Sequence, residues 1–241
     1  MSDNQPVSVI TGANRGLGFE TARQLGRLGH TVVATSRDGI KGKAAVDKLQ
    51  SEGLAVVYHP LDVDREESRV RLFQFIEERY QRLDVLINNA GVMPDGAPDT
   101  PGATSVFDTD LSQVRQSMET NLYGPLRLCQ LAVPLMRRHD YGRIVNVSTG
   151  LAQISEMKGE FTAYRLAKTA LNALTRIVAA EVRNENILCN AASPGWVKTR
   201  MGGANAPRSP AEGVRGIVWL ATVGNDGPRG GFYQDRMAIP W

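Results

Sequence analysis

A chain of 241 residues, 42% of them apolar, has the material for a sizeable core in one α/β domain or two small ones. Its formal charge of +3 is small and spread along the chain, which gives no basic surface of the kind that binds nucleic acid. No apolar run approaches the roughly 20 residues that span a bilayer, and Met1 to Pro6 is short and polar, unlike a signal peptide, so no membrane partner is expected.

The first strand is Val7 to Ile10. It runs into a turn with glycines at Gly12, Gly16 and Gly18 and then a helical run from Phe19 to Leu28. Such a turn lets the backbone approach a ligand closely, and the helix it opens aims unpaired N–H groups and a positive dipole end into it, a setting that suits a pyrophosphate. The spacing is G-x-x-x-G-x-G rather than G-x-G-x-x-G. A second strand covers Thr31 to Thr35, a helix Lys41 to Ser51, and a third strand Ala55 to His59, which Pro60 should stop. Asp64 with Glu67 reads as a capping box for the next helix.

The fourth strand, Val85 to Asn88, ends in Asn89-Ala90-Gly91. Met93 to Asp110 reads as a surface loop, and Leu111 to Arg138 as a long helix interrupted near Gly124-Pro125 and Pro134. A fifth strand covers Ile144 to Ser148, a long helix Thr162 to Asn184, and a sixth strand Ile187 to Ala192. A loop follows to Arg208, with residues 194–209 expected to shape a substrate site. Ser209-Pro210-Ala211-Glu212 starts a helix, and a last short strand lies near Gly231-Phe232-Tyr233. Strands alternating with helices throughout imply a doubly wound parallel sheet covered on both faces, in one domain. Cys129 and Cys189 sit in apolar runs and read as free, buried thiols of a cytoplasmic protein, while His30, His59 and His139 lack metal-like spacing, so no metal is expected.

Ligands of such a sheet sit beyond the carboxyl ends of the strands. There the reading collects the Gly turn, Ser36-Arg37, Asp62-Val63, Asn89-Ala90-Gly91, Ser148-Thr149 and Pro194-Gly195. An acid after the second strand suits the ribose hydroxyl of NAD, and arginine suits the 2′-phosphate of NADP. Arg37, with Lys41 and Arg15 nearby, favours NADP(H). Asp38, read as facing solvent, leaves NAD(H) open. Tyr164 and Lys168 are four apart on a helix and share a face, so the cation should pull the phenol pKa down from its usual value of about 10 and make a proton donor.

Taken together, Thr11-Gly12-Ala13-Asn14-Arg15-Gly16-Leu17-Gly18, Asn88-Asn89-Ala90-Gly91, Asn121, Val145 to Thr149, Tyr164 to Lys168 and Ser193 to Thr199 resemble the short-chain dehydrogenase/reductase family in order and spacing, over essentially the whole chain. The ending, Gly230-Gly231-Phe232 through Pro240-Trp241, resembles its carbonyl-reductase-like members. The resemblance implies a Rossmann-type sheet of about seven strands and a tetrad of Asn, Ser, Tyr and Lys. Tyr164 would protonate the substrate oxygen, Lys168 would hold the nicotinamide ribose, and Asn121 would fix a water on the proton path. Matched from Arg143, the family's catalytic serine falls on Thr149, with Ser148 as the alternative. Strand alternation would let only one of the two face the substrate. Asn89 and Gly91 would contact the ribose region, Asp62 and Val63 flank adenine, and Val197 and Thr199 bond the carboxamide.

The expected function is NADPH-dependent reduction of a small-molecule ketone or aldehyde. A non-catalytic NADP(H)-sensing protein on the same fold is the alternative. The short loop between Thr149 and Tyr164 leaves room for a homodimer or homotetramer.

Overall fold

The structure is a computed structural model that describes residues 5–96 and 105–241. The middle of the loop expected from Met93 to Asp110, residues 97–104, therefore lies outside the described residues. The chain builds one sheet in the order β3-β2-β1-β4-β5-β6-β7-β8. Its strands are β1 (Val7–Ile10), β2 (Thr31–Ser36), β3 (Val56–Pro60), β4 (Val85–Asn88), β5 (Gly142–Val147), β6 (Ile187–Ala192), β7 (Phe232–Gln234) and β8 (Met237–Ala238). The first seven pair in parallel. β8 turns back antiparallel on β7 and adds a short eighth strand to the seven expected. The turn between them holds Asp235 and Arg236, both at positive φ.

Alternation along the strands sends apolar side chains to two cores. On one face Val9, Leu86 and Ile144 pack with Leu72 and Ile76 of α3 (Glu66–Tyr80) and Leu128 and Ala132 of α5 (Gly124–Arg138). On the other, Ile10, Ile87 and Val145 pack with Leu25 of α1 (Gly16–Arg27), Leu49 of α2 (Gly39–Ser51) and Ile217 and Leu220 of α8 (Arg215–Ala221). The remaining helices are α4 (Leu111–Met118), α6 (Thr162–Glu181) and the single turn α7 (Pro210–Gly213). The chain leaves β1 toward β2 on one side and β4 lies on the other, so the topological switch point falls between β1 and β4.

Three local expectations change. Pro60 ends β3 from within, paired in register with Ser36, because β3 is an edge strand and a proline there costs no ladder bond. Asp64 does not cap α3: the helix starts at Glu66 after Arg65 with no side-chain cap, and the Asp64 carboxylate instead accepts from the Thr120 hydroxyl at 3.0 Å. The long helix is broken by a π turn, Glu119–Tyr123, directly before Gly124, whereas Pro134 sits inside α5 without ending it. The capping box at Ser209 forms as read, with the Ser209 side chain and Glu212 bonded reciprocally.

Candidate active site

The Gly turn is braced from across the switch point. Thr11 Oγ1 accepts the N–H groups of Asn89 and Ala90 at 2.9 and 2.8 Å, and Asn89 Nδ2 donates to the carbonyls of Thr11 and Gly12 at 2.7 and 3.2 Å. Gly12 and Gly16 take φ of +66° and +57°, which favours glycine. A Cβ on Gly18 would run into the Gly12 carbonyl and reach Asn89 Nδ2 at 2.5 Å. The residue that opens α1, Arg15, is extended and caps the helix with no side-chain bond, so the first-turn N–H groups face the cleft. This cradle fits a dinucleotide pyrophosphate.

The cleft runs along the carboxyl ends of the strands and has a volume of about 900 Å³, within the range of a ligand pocket. Asn14, Arg15, Gly16, Leu17, Ser36 and Arg37 line its β2 end. Neither arginine has an ion-pair partner among the described residues. Asp38 is the N-cap of α2, accepting from the Lys41 N–H at 3.1 Å and pairing with Lys41 Nζ at 2.6 Å. Its carboxyl is held below the ordinary range by that lysine. Asp38 and Lys41 are thus each other's partners, and neither lines the cleft.

Val63, Asn89, Ala90 and Gly91 line the middle of the cleft, and Pro194, Gly195, Val197 and Thr199 the far wall. Asp62 does not line it. That residue borders a separate shallow depression with Arg65 and Arg71, and its N–H donates to Ser68 Oγ at 2.9 Å. Asn121 is fully buried in the π turn and lies behind the cleft wall. Its side chain accepts from the Val92 N–H at 3.1 Å and donates to the Val92 carbonyl and Ser117 Oγ, both at 2.9 Å. Both polar ends of the Asn121 side chain are thereby engaged.

At the reactive end, Tyr164 and Lys168 project from the first two turns of α6 and both line the cleft, at 8% and 3% exposure. Lys168 Nζ lies 5.9 Å from the Tyr164 ring centroid and donates to the Val147 carbonyl at 2.8 Å. Burial lowers the ammonium to about 7 and raises the Tyr164 phenol well above its ordinary value. The expected acidification of the phenol by its neighbour is therefore outweighed by desolvation of both groups. Ser148 and Thr149 are both among the residues that line the cleft, just after β5 stops at Val147 and before a 3₁₀ turn, Gly150–Ala152. Thr149 Oγ1 accepts from the Leu151 N–H at 3.2 Å, and Ser148 Oγ is buried without a hydrogen-bond partner among the described residues.

The sequence reading missed the cleft walls Leu151, Phe161 and Gln234, which lie outside any motif, whereas Arg200 belongs to the loop 194–209. It also missed Asp95, whose two carboxylate oxygens accept from the N–H groups of Ala163 and Tyr164 at 3.0 and 2.8 Å. One signal for that contact was legible: no Ser, Thr, Asp or Asn stands directly before Thr162 to cap α6.

A family model for the short chain dehydrogenase matches residues 6–209. The chain belongs to the short-chain dehydrogenase family. As a member it is an NAD(P)-dependent oxidoreductase. It is 34% identical to carbonyl reductase [NADPH] 1 of Mus musculus, with all of both chains covered. It is 36% identical to the short-chain dehydrogenase anuI of Penicillium roqueforti, over 92% of this chain and 90% of the relative. Among solved structures, NADPH-bound carbonyl reductase from chicken fatty liver superposes with a TM-score of 0.85 at 29% identity, over 98% of this chain and 99% of the other. No helix of the described residues is long and apolar enough to cross a membrane.

Proposed function

We propose that this short-chain dehydrogenase reduces a small-molecule ketone or aldehyde to the alcohol with NADPH. The carrying observation is the Tyr164–Lys168 pair, buried in the same cleft that the Gly turn opens into. When bound, the cofactor supplies a hydride to the carbonyl carbon. The Gly turn and the start of α1 hold the pyrophosphate. Arg15 and Arg37 take a 2′-phosphate, consistent with the NADPH that the mouse and chicken proteins carry in their names. Val63, Asn89, Ala90 and Gly91 pack the adenosine side, and Pro194 to Thr199 the nicotinamide side.

Tyr164 delivers the proton to the substrate oxygen, and Lys168 keeps the proton supply beside it. Thr149 holds the substrate oxygen. Its hydroxyl accepts from Leu151 N–H, which leaves its own proton to donate into the cleft. Ser148, with a partnerless buried oxygen, is the competing donor. Asn121 acts by bracing Val92 and, through it, the wall at Gly91. Residues 194–209 form the substrate loop, in one catalytic domain. The exposed apolar residues Leu111, Leu126, Leu166 and Ile177 on α4, α5 and α6 support a homodimer or homotetramer, read by light scattering. The free buried thiols of Cys129 and Cys189 support a cytoplasmic location.

The test is NADPH oxidation against a panel of ketones, aldehydes, quinones and 3-oxo esters, in parallel with NADH. Tyr164→Phe is expected to abolish turnover while NADPH still binds. Wild-type rates in that variant would refute the assignment. Tight NADPH binding with no turnover across the panel would favour the sensing alternative.

A further inference from the structure

We infer that Asp95 is a positioning residue for this reduction: its carboxylate, carried on the segment after β4, sets where α6 begins and therefore where the Tyr164 phenol stands. The inference rests on the reading of Tyr164 as proton donor. Asp95 is 3% exposed, and each of its oxygens accepts one N–H from the first turn of α6. Nothing in the helix's own approach does this. Phe161, at the N-cap, is left-handed with φ +52° and makes no side-chain cap, and Glu160 before it is left-handed at φ +64°.

Two consecutive non-glycine residues in that region are strained and persist only where their surroundings over-determine them. Arg165 supplies one restraint, donating to the carbonyls of Glu160 and Leu151 at 2.8 and 2.9 Å. Asp95 supplies the other from the opposite side. The segment that carries it is itself held, by Asn121 on both polar groups of Val92 and by Gln113 Nε2 on the Pro94 carbonyl at 3.2 Å. A continuous bridge therefore runs from the π turn through residues 92–95 into the catalytic helix. A carboxylate also suits the positive end of a helix of 20 residues. Met93, Gly96 and Phe161 line the cleft beside Tyr164, so the one contact sets two walls relative to the phenol.

Without the carboxylate, two backbone N–H groups in the first turn of α6 lose their acceptors, while the Gly turn keeps its own braces at Thr11 and Asn89. The signature is a loss in kcat without a loss of NADPH affinity. Misplacing a reacting group by about 1 Å costs up to about 100-fold.

The experiment compares Asp95→Ala and Asp95→Asn with wild type and Tyr164→Phe in the full chain. It reads kcat and KM for an accepted carbonyl, NADPH affinity by cofactor fluorescence, and urea unfolding. Asp95→Ala is expected to lower kcat about tenfold or more with NADPH affinity unchanged, and Asp95→Asn, which keeps one accepting oxygen, to recover part of the loss. A wild-type kcat in Asp95→Ala, or a fall in kcat matched by an equal fall in NADPH affinity, overturns the inference. Should Asp95→Ala not fold, Asp95→Asn decides by the same two readings. Turnover retained in Tyr164→Phe identifies a different failure, that of the proton-donor reading, and the inference falls with it.

Discussion

Lys168 Nζ lies 2.8 Å from the carbonyl oxygen of Val147, the last residue of β5. The helix face that bears the reactive pair is thereby joined to the strand end that bears the two hydroxyls. The bond does not offset the loss of water around the ammonium, which titrates at about 7 against 10.5 in the open. Between those two values the unfolded chain holds a proton that the native chain does not, so stability rises with pH across that window. Below it, both states are protonated and the full penalty for burying the charge is present.

Lys168→Met should accordingly be more stable than wild type at pH 6. The difference should shrink by on the order of 1 kcal/mol per pH unit between about 7 and 10. Urea unfolding at pH 6, 8 and 10 measures it. A gap that stays constant over that range would contradict the buried-charge account. Carbonyl reduction by the same variant should be lost.

Arg37 and Arg15 at the β2 end of the cleft have no ion-pair partner among the described residues, and Asp38 is engaged with Lys41. Arg37→Ala should raise the KM for NADPH about tenfold, the loss of one charge-assisted bond, and leave the KM for NADH within about twofold. Equal losses for both cofactors would place Arg37 away from the phosphate.

Thr149→Ala should lower kcat about 10²-fold, the usual cost of losing a donor to a developing oxyanion. Ser148→Ala should cost less than about fivefold. The reverse ranking would move the substrate contact to Ser148, whose oxygen has no protein partner.

Gly18→Ala should abolish NADPH binding, because its methyl would meet the Gly12 carbonyl and Asn89 Nδ2 and push the turn open. Isothermal titration on protein shown to be folded by circular dichroism would decide it. Gly53→Ala makes a control for an added methyl that meets nothing, since that glycine has no neighbour within 4 Å although, unlike Gly18, it has positive φ (+79°). It should bind NADPH normally.

What could be read from the chain without coordinates was whatever is written locally. The period of β1, β4 and β6, the Gly turn and the four-residue spacing of Tyr164 and Lys168 each depend on a few consecutive residues. What could not be read depends on partners far along the chain. Asp64 looked like a cap until Thr120, 56 residues away, offered its hydroxyl. Asp95 looked like loop chemistry, although its partners lie 68 and 69 residues on. The side-chain partner of Asn121, Val92, lies 29 residues back. β8 went unseen because its turn carries Asp235-Arg236 rather than the Asn-Gly or Asp-Gly that announces a hairpin.

Because Asn89 braces the Gly turn from 78 residues downstream, the nucleotide cradle has no finished shape while the chain is still being synthesised up to β4. β1 waits at the centre of the sheet for a neighbour that is translated much later, and such distant pairings close slowly. Dinucleotide in the cell therefore meets the completed cradle only once β4 has docked beside β1, and its binding then stabilises the finished protein.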